Sequence, residues 1–184
     1  AQGMKEDYIC NEKYTDEIFN QVLKLKNENH WHEINNFMKK EYKTEFHVHT
    51  RYSKDSCLNY LMLLLMLKIK KIDTIVITDH NEIKGALKYQ KKLQKHHINV
   101  IVGEEIFTTK GEIIGLNLNK RIQEGLTPLQ TIKEIKKQNG IVYIPHPYDE
   151  KRYKSVLKEE EIKKNREYID LIEIHNGRNI SKDF

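Results

Sequence analysis

The chemistry of this chain begins at His47 and His49, which are separated by one residue and followed by Asp55. Phe46 and Val48 alternate with the histidines, which predicts a short β-strand with both imidazoles on one face. The backbone positions of the two histidines would lie about 7 Å apart. This is close enough for both rings to bind one metal ion at about 2.0–2.1 Å. A polar loop can then bring Asp55 back to the same position. This stretch predicts one corner of a metal site.

Alternating strands and helices must position these side chains. Strands are predicted at 45–49, 74–78, 98–102, 112–116, 141–144 and 169–174, and helices at about 57–70, 83–96, 127–138 and 157–166. Several strands are almost continuously apolar, as expected where both faces are buried, so the pattern indicates a parallel α/β sheet or barrel. Lys110-Gly111 predicts a tight turn and a hairpin between the third and fourth strands.

Histidine or glutamate occurs at the end of five of these strands. The residues in question are His47 and His49, His80, Glu104 and Glu105, His146, and His175. In parallel α/β proteins the carboxyl ends of the strands meet at one edge, where functional sites form. One histidine after a strand is usually structural, but five strands that end in this way predict a metal site.

The ordered motifs resemble those of the PHP family, named for polymerase and histidinol phosphatase domains. His-x-His-Thr with a later acid is matched by residues 47–50 and Asp55, Thr-Asp-His by 78–80, Gly-x-Glu by 103–105, and His-Pro by 146–147. The resemblance covers about residues 45–178. It implies a distorted (β/α) barrel, a site for two or three divalent ions, and hydrolysis of a phosphate ester by a metal-activated water.

The resemblance also implies roles for individual residues. The implied metal ligands are His47, His49, Asp55, His80, Glu105 and His146. We predict that Asp55, His80 and Arg178 are the catalytic groups. Four histidines and two carboxylates suit Zn²⁺, Mn²⁺ or Fe²⁺ better than Ca²⁺ or Mg²⁺. Two such ions would outweigh the two carboxylates, which favours an anionic substrate.

Several polar residues around the motifs have more than one interpretation. Glu104 is expected to face outward or to form a salt bridge, and Asp79 to support the ligands or cap a helix. Ser53 or Ser56 is expected to cap the helix that begins near residue 57. Arg178 is expected to contact phosphate through its forked donors, with Arg51 and Lys54 as alternatives.

Two features depart from the family pattern. Glu112 stands where many members have a histidine, and it could bind metal or be an exposed strand residue. The late Asp-x-His pair is absent before Phe184, so the last barrel strand is expected to be missing, and His175 has the wrong spacing to replace it. A fragment, or a non-catalytic metal-stabilised scaffold, is therefore an alternative to the enzyme.

Composition sets the organisation of the chain. At 184 residues it suits a PHP domain over 44–184, preceded by a helical extension over 1–43 in which apolar residues recur at helical spacing. Two cysteines give no disulfide framework, which favours a cytoplasmic location. Leu61 to Leu67 is too short to span a membrane and predicts a buried helix.

Charge and aromatic content bear on the partners. The formal charge is +5, and the lysines are assigned mainly to solubilising helix faces. The expected substrate is a phosphorylated small molecule or a nucleotide. A nuclease that acts on oligonucleotide ends is the alternative, although no stacking platform of aromatic and basic residues is evident in the sequence. The sequence does not specify the oligomeric state.

Overall fold

The computed structural model describes residues 43–147, 149, 152 and 155–174, which contain one six-stranded sheet. The strands, numbered in chain order, are Thr44–Val48 (β1), Thr74–Ile77 (β2), Asn99–Thr108 (β3), Gly111–Leu116 (β4), Ile141–Ile144 (β5) and Leu171–Ile172 (β6). They neighbour one another in the same order. The pairs β1–β2, β2–β3 and β5–β6 are parallel, whereas β3–β4 and β4–β5 are antiparallel. The predicted hairpin is present, and the mixed sheet with its helices forms a half-barrel, which confirms the predicted incomplete α/β barrel.

Four helices connect the strands. They are Tyr60–Lys70 (α1), Lys84–Leu93 (α2), Pro128–Lys137 (α3) and Glu159–Asn165 (α4), with 3₁₀ turns at Gln94–His96 and Arg166–Tyr168. Helix α3 begins with a capping box, in which Thr127 and Gln130 satisfy each other's backbone N–H groups behind Pro128. Helix α1 is capped by Asn59, whose side chain accepts hydrogen bonds from the N–H groups of the first turn. The predicted serine cap is therefore wrong.

The two faces of the sheet bury different side chains. Alternate strand residues such as Ile75, Ile77 and Val102 pack against the helices and form the larger core. On the opposite face a smaller cluster is made from strands alone, with Val76 and Tyr143 among its members. This inner, concave face leads at the carboxyl edge of the parallel strands to the predicted site residues.

Helix α1 differs from the prediction in its burial. Only Leu63 and Leu67 are buried, whereas Leu61 is 73% and Leu65 is 61% exposed, so the predicted fully buried helix is wrong. None of the helices among the described residues has the length and apolar character needed to cross a membrane. The predicted helical extension at 1–43 lies, apart from Lys43, outside the described residues.

Candidate metal centre

Strand β1 is irregular where it carries its first histidine. Its register on β2 shifts between Glu45 and Val48, and His47 has φ 56°. The predicted regular strand is therefore wrong at this point, although the ring centroids of His47 and His49 still lie 5.1 Å apart. His146, just after β5, has φ 31°. Such left-handed backbone is uncommon for residues other than glycine and concentrates at functional sites.

Glu105 lies at the centre of a cluster of four imidazoles. It belongs to β3 itself rather than following it, because β3 continues beyond β2 to form the hairpin with β4. Its Oε1 atom lies 3.2 Å from His47 Nε2 and 3.1 Å from His146 Nε2. Its Oε2 atom lies 3.0 Å from His49 Nε2 and 3.2 Å from His80 Nδ1.

Two further carboxylates border these imidazoles. Asp55, from the loop after β1, places Oδ1 3.2 Å from His49 Nδ1 and Oδ2 3.7 Å from His80 Nε2. Glu112, from β4, places Oε1 3.6 Å from His80 Nδ1 and Oε2 3.6 Å from His146 Nε2. Glu112 is 1% exposed, so its interpretation as an exposed strand residue is wrong.

The ligand atoms fall into three overlapping triads. In each triad all three atoms lie within 4.8 Å of one another, and the triads are His47–His49–Glu105, His49–Asp55–His80 and His80–Glu105–Glu112. Each pair of triads shares one residue, so they form a continuous ring of donors. The structure thus brings together all six predicted ligands, with His146 beside Glu105. Their role as metal ligands remains a prediction.

The donor set fits divalent cations. Several buried atoms of the cluster approach one another closely yet have no partner in hydrogen-bond geometry, namely His47 Nε2, His80 Nδ1, Glu105 Oε2 and Glu112 Oε2. Buried polar atoms normally find a partner, so four such atoms around one point indicate an external ligand. Imidazole nitrogens mixed with carboxylate oxygens are donors typical of Zn²⁺, Mn²⁺ and Fe²⁺.

Charge is shared unevenly within the cluster. Burial disfavours the charged Glu105, but His47 and the other imidazoles hold its pKa well below the ordinary value. Burial opposes protonation of His47, yet Glu105 and Glu173 raise the pKa of this imidazole to about 10. Burial and the Glu105 charge raise the pKa of Glu112 to about 7. The cluster therefore holds protons that a metal ion would displace.

Buried polar residues fix the loop that carries Asp55. Asp79 accepts hydrogen bonds from the N–H and hydroxyl groups of Thr50, at 2.6 and 2.8 Å, which agrees with its predicted supporting role. Gly85 of α2 packs so closely that a Cβ atom would lie 2.4 Å from Asp79 Oδ2. Ser53 accepts from the His80 N–H, and Ser56 donates to the His49 carbonyl. The serines thus hold the ligands' backbone instead of capping a helix.

Glu173 is a site residue that the motifs did not identify. It directly follows β6 and is 6% exposed. Its Oε1 atom lies 3.2 Å from His47 Nδ1, and its Oε2 atom accepts the His146 N–H at 2.6 Å. One carboxylate thereby joins the ligand-bearing ends of β1 and β5. A charged residue within the apolar stretch 169–174 was the signal that could have found it.

Arg152 is the second residue that the sequence pattern missed. Its Nη1 lies 3.2 Å from His146 Nε2, and its Nε lies 3.3 Å from Asp149 Oδ2. It also lines a cavity of about 310 Å³ together with His47, His49 and Asp55. The predicted phosphate contact Arg178, and His175, lie outside the described residues.

Glu104 occupies the other face of β3. It is fully buried, so the expectation that it faces outward is wrong, while the alternative ion pair is present with Arg121 at 3.9 Å. It accepts the Ile122 N–H at 2.8 Å. Burial raises its pKa to about 7. The two adjacent glutamates therefore have opposite shifts, because Glu105 faces imidazoles and Glu104 faces the core.

Comparison with known proteins gives a family and two relatives. The PHP domain model matches residues 45–179. The uncharacterized protein MJ1587 of Methanocaldococcus jannaschii is 41% identical over 116 residues, which cover 58% of this chain and 68% of the relative. The uncharacterized protein MJ0417 of the same organism is 37% identical over 141 residues, which cover 74% of this chain and 53% of the relative. The chain thus spans about half the length of MJ0417.

Solved structures share the fold. One is a two-domain protein from Bacteroides vulgatus that contains a predicted PHP-like metal-dependent phosphoesterase, with a TM-score of 0.59, 19% identity, and coverage of 70% of this chain and 42% of that chain. Another, from Bifidobacterium adolescentis, is provisionally described as a metal-dependent phosphoesterase, with a TM-score of 0.58, 11% identity, and coverage of 70% and 75%. At these identities the similarity shows the fold alone.

Proposed function

Because the chain belongs to the PHP domain family, we propose that it is a metal-dependent phosphoesterase that uses water to cleave a phosphate ester. The observation that carries this proposal is the ring of three overlapping triads around Glu105. Divalent ions bound there would activate the attacking water and neutralise charge on the phosphate. The triads have room for two or three ions, with Zn²⁺, Mn²⁺ and Fe²⁺ as the candidates.

The shared residues determine how many ions the ring would hold. His49, His80 and Glu105 each belong to two triads. A carboxylate can serve two ions through its two oxygens, whereas an imidazole usually serves one. If His49 and His80 each bind one ion, three ions would need a further ligand. His146, which lies beside Glu105 and Glu112, could supply it.

Asp55 and His80 are the groups we assign to proton transfer at the ring. The Asp55 side chain is 41% exposed and that of His80 is 20% exposed, whereas that of Glu105 is fully buried. Asp55 and His80 therefore form the solvent-facing side of the ring. Burial opposes the ionised form of Asp55, but His49 lowers the pKa of its carboxyl. Asp55 is then ionised at neutral pH, as both a metal ligand and a proton acceptor must be, with His80 Nε2 3.7 Å away.

Arg152 is the proposed contact for the substrate phosphate. Its Nη1 lies 3.2 Å from His146 Nε2, the nitrogen that faces Glu105 and Glu112. A metal ion bound to this nitrogen would leave it no lone pair for Arg152, so the Nη1–H would need another acceptor close to the ring. Phosphate oxygens match the guanidinium fork, and the Asp149 carboxylate fixes its orientation. Arg178 remains a second candidate for this contact.

Metal removal tests the proposal. Treatment with a strong chelator should abolish hydrolysis of an aryl phosphate, and one of Zn²⁺, Mn²⁺ or Fe²⁺ should restore it. His49→Ala should lower kcat/KM by at least about 100-fold, because two triads lose a ligand. His96→Ala is the matched control, since His96 is exposed and lies outside the ring.

Three outcomes are informative. Equal activity of the chelated and metal-loaded proteins would contradict a metal-dependent reaction. A fully metal-loaded protein that hydrolyses no aryl phosphate, nucleotide or oligonucleotide would contradict the enzyme and favour a metal-stabilised scaffold. Hydrolysis of the oligonucleotide alone would select the nuclease.

A further inference from the structure

Helix α2 carries positive charge that no carboxylate balances. Residues 84–97 contain five lysines and no acidic residue. Four of these lysines are exposed and form no ion pair with any described residue, and we call them the lysine row: Lys88, Lys91, Lys92 and Lys95. The fifth, Lys84, pairs with Glu82 at 3.2 Å. The row therefore presents its charge to solvent without local compensation.

The contrast with α3 shows that this is not a property of every helix in the domain. Two of the three lysines on α3 pair with carboxylates: Lys136 with Asp170, and Lys137 with Glu134. A solubilising face normally mixes charges of both signs in this way. A helix with cations alone instead offers a surface that is complementary to an anion.

The lysine row leads to the metal centre. Helix α2 begins against the loop that carries Asp55, since Gly85 packs on the Asp79–Thr50 pair. Lys88 Nζ lies 5.9 Å from the centroid of the Tyr52 ring in that loop. Arg51 and Lys54, on the same loop, are exposed and form no ion pair with the described residues. Cationic residues of α2 and of the loop that carries Asp55 thus lie on neighbouring elements beside the cluster.

Tyrosines also lie within this surface. Tyr52 lies beneath Lys88, and the Tyr60 ring lies 4.8 Å from Lys92 Nζ. The sequence showed no stacking platform of aromatic and basic residues, but the fold brings two such pairs together. Three separate stretches of chain bring them together: the loop after β1, the first residue of α1, and helix α2.

The extent of the row indicates the size of the anion. From Lys88 to Lys95 the axis of α2 and its 3₁₀ turn advances about 10 Å, more than one phosphate group spans. A phosphomonoester of a small molecule would contact only the end at the cluster. The cluster itself is recessed, because the side chains of Glu105 and His146 are fully buried. A single strand, unlike a duplex, could lie along the helix and still insert one phosphate.

We propose that the substrate is a single-stranded nucleic acid, whose backbone lies along the lysine row and passes Arg51 and Lys54 to reach the metal centre. This substrate class rests on the proposed phosphoesterase function. Hydrolysis adds water across one P–O bond: the hydroxyl joins phosphorus, and the leaving sugar oxygen takes the proton. The row binds the strand outside the reacting group, so it sets affinity rather than the chemical step.

Binding of a labelled oligonucleotide tests this proposal. The metal-loaded protein is mixed with a fluorescent, phosphorothioate-linked single strand, and fluorescence anisotropy gives the dissociation constant at several salt concentrations. The test variant is Lys88→Gln/Lys91→Gln/Lys95→Gln. The control, Lys120→Gln/Lys133→Gln/Lys164→Gln, removes the same charge from exposed lysines away from α2. Hydrolysis of an aryl phosphate, a small substrate, is also measured for both variants.

We expect the row variant to bind at least about 10-fold more weakly at low salt, while the control changes less than about twofold. The slope of log affinity against log salt should decrease by about two, as three lost phosphate contacts predict for a single strand. Hydrolysis of the aryl phosphate should be equal in both variants. Equal loss of oligonucleotide binding in the two variants, or no salt-dependent binding by the unmodified protein, would overturn the proposal.

Two further outcomes separate the possible failures. If anionic lipid vesicles bind through the row and the oligonucleotide does not, the partner is a membrane surface and the proposal is wrong. If the oligonucleotide binds through the row but no phosphate ester is hydrolysed, the surface is supported while the phosphoesterase function fails. Binding and turnover are measured independently, so the two failures are distinguishable.

Discussion

Glu173 fixes the protonation pattern of His47. A carboxylate can only accept, so the bond to His47 Nδ1 requires a hydrogen on that nitrogen and directs Nε2 towards Glu105. The other carboxylate oxygen holds the His146 backbone, which has an unfavourable positive φ. This side chain therefore orients two of the predicted ligands without belonging to a triad.

Replacing Glu173 should weaken metal binding. Glu173→Gln keeps one acceptor oxygen but turns an amide N–H towards one of the two donors. Metal affinity should decrease by about 10–100-fold, the usual effect of losing a group that orients a ligand. Competition with a chromogenic chelator measures this. The exposed Glu167→Gln is the control, and equal affinities in the two variants would contradict the orienting role.

Arg152 should act on substrate affinity rather than on metal content. Arg152→Lys retains the charge but loses the fork, so we expect KM for an aryl phosphate and the inhibition constant of inorganic phosphate to rise by about 10-fold. Metal content should be unchanged. Arg166→Lys, on an exposed 3₁₀ turn, is the control. Loss of bound metal with unchanged phosphate inhibition would instead assign Arg152 to the support of His146.

Residue types and spacing, together with the resemblance to the PHP motifs, predicted which six side chains converge, but not how they are held. The ligands occur in short ordered motifs at strand ends, where a sheet brings them together whatever its exact curvature. Glu173 and Arg152 reach the cluster from β6 and from the segment after β5, and their contacts depend on the closure of the half-barrel. The positive φ of His47 had no signal in the sequence either, since only a small fraction of histidines adopt it.

Strand β3 separates two environments one residue apart. Glu105 faces the imidazoles and Glu104 faces the core beside Ile122. The strand was predicted to end near residue 102 because its apolar residues give way to glutamates there. It continues to Thr108 because β4 pairs with it and because both glutamates are buried with polar partners. Hairpin pairing thus overrides the local composition.

The raised pKa of Glu104 makes stability depend on pH. The folded protein holds this proton between pH 4.5 and about 7, where the unfolded chain releases it. The contribution to the free energy of unfolding is therefore full below pH 4.5 and is lost as pH rises through about 7. Glu104→Gln removes the titrating group. The free energy of unfolding of the variant minus that of the parent should therefore be about 2–3 kcal/mol higher at pH 8 than at pH 5.

Denaturant unfolding of the metal-free protein between pH 5 and 8 measures the difference between variant and parent. Glu160→Gln, at an exposed position on α4, should show no such pH dependence and serves as the control. If the free energies of unfolding of Glu104→Gln and its parent differ by the same amount over this range, the carboxyl group does not titrate there.

At the scale of the molecule, the described domain is a half-barrel whose predicted ligands lie at one edge. The alternation of apolar strands and helices predicted an α/β sheet or barrel and the order of its elements, and the resemblance to the PHP family predicted an incomplete barrel. The alternation did not predict the distribution of charge. The lysines of residues 84–97 form one charged surface only because the fold buries the opposite face of α2. Nor did it predict the exposure of α1, since apolar composition alone does not distinguish a half-covered helix from a buried one.

Metal content is the measurement that tests the account most directly. Elemental analysis of the purified protein, after saturation with Zn²⁺, Mn²⁺ or Fe²⁺ and removal of excess, should find at least two ions per chain. His49→Ala should lose at least one of them, because His49 belongs to two triads, while His96→Ala should match the parent. A protein that binds no divalent ion, or one whose metal content is the same in His49→Ala and in the parent, would contradict the assignment of this ring as a metal centre.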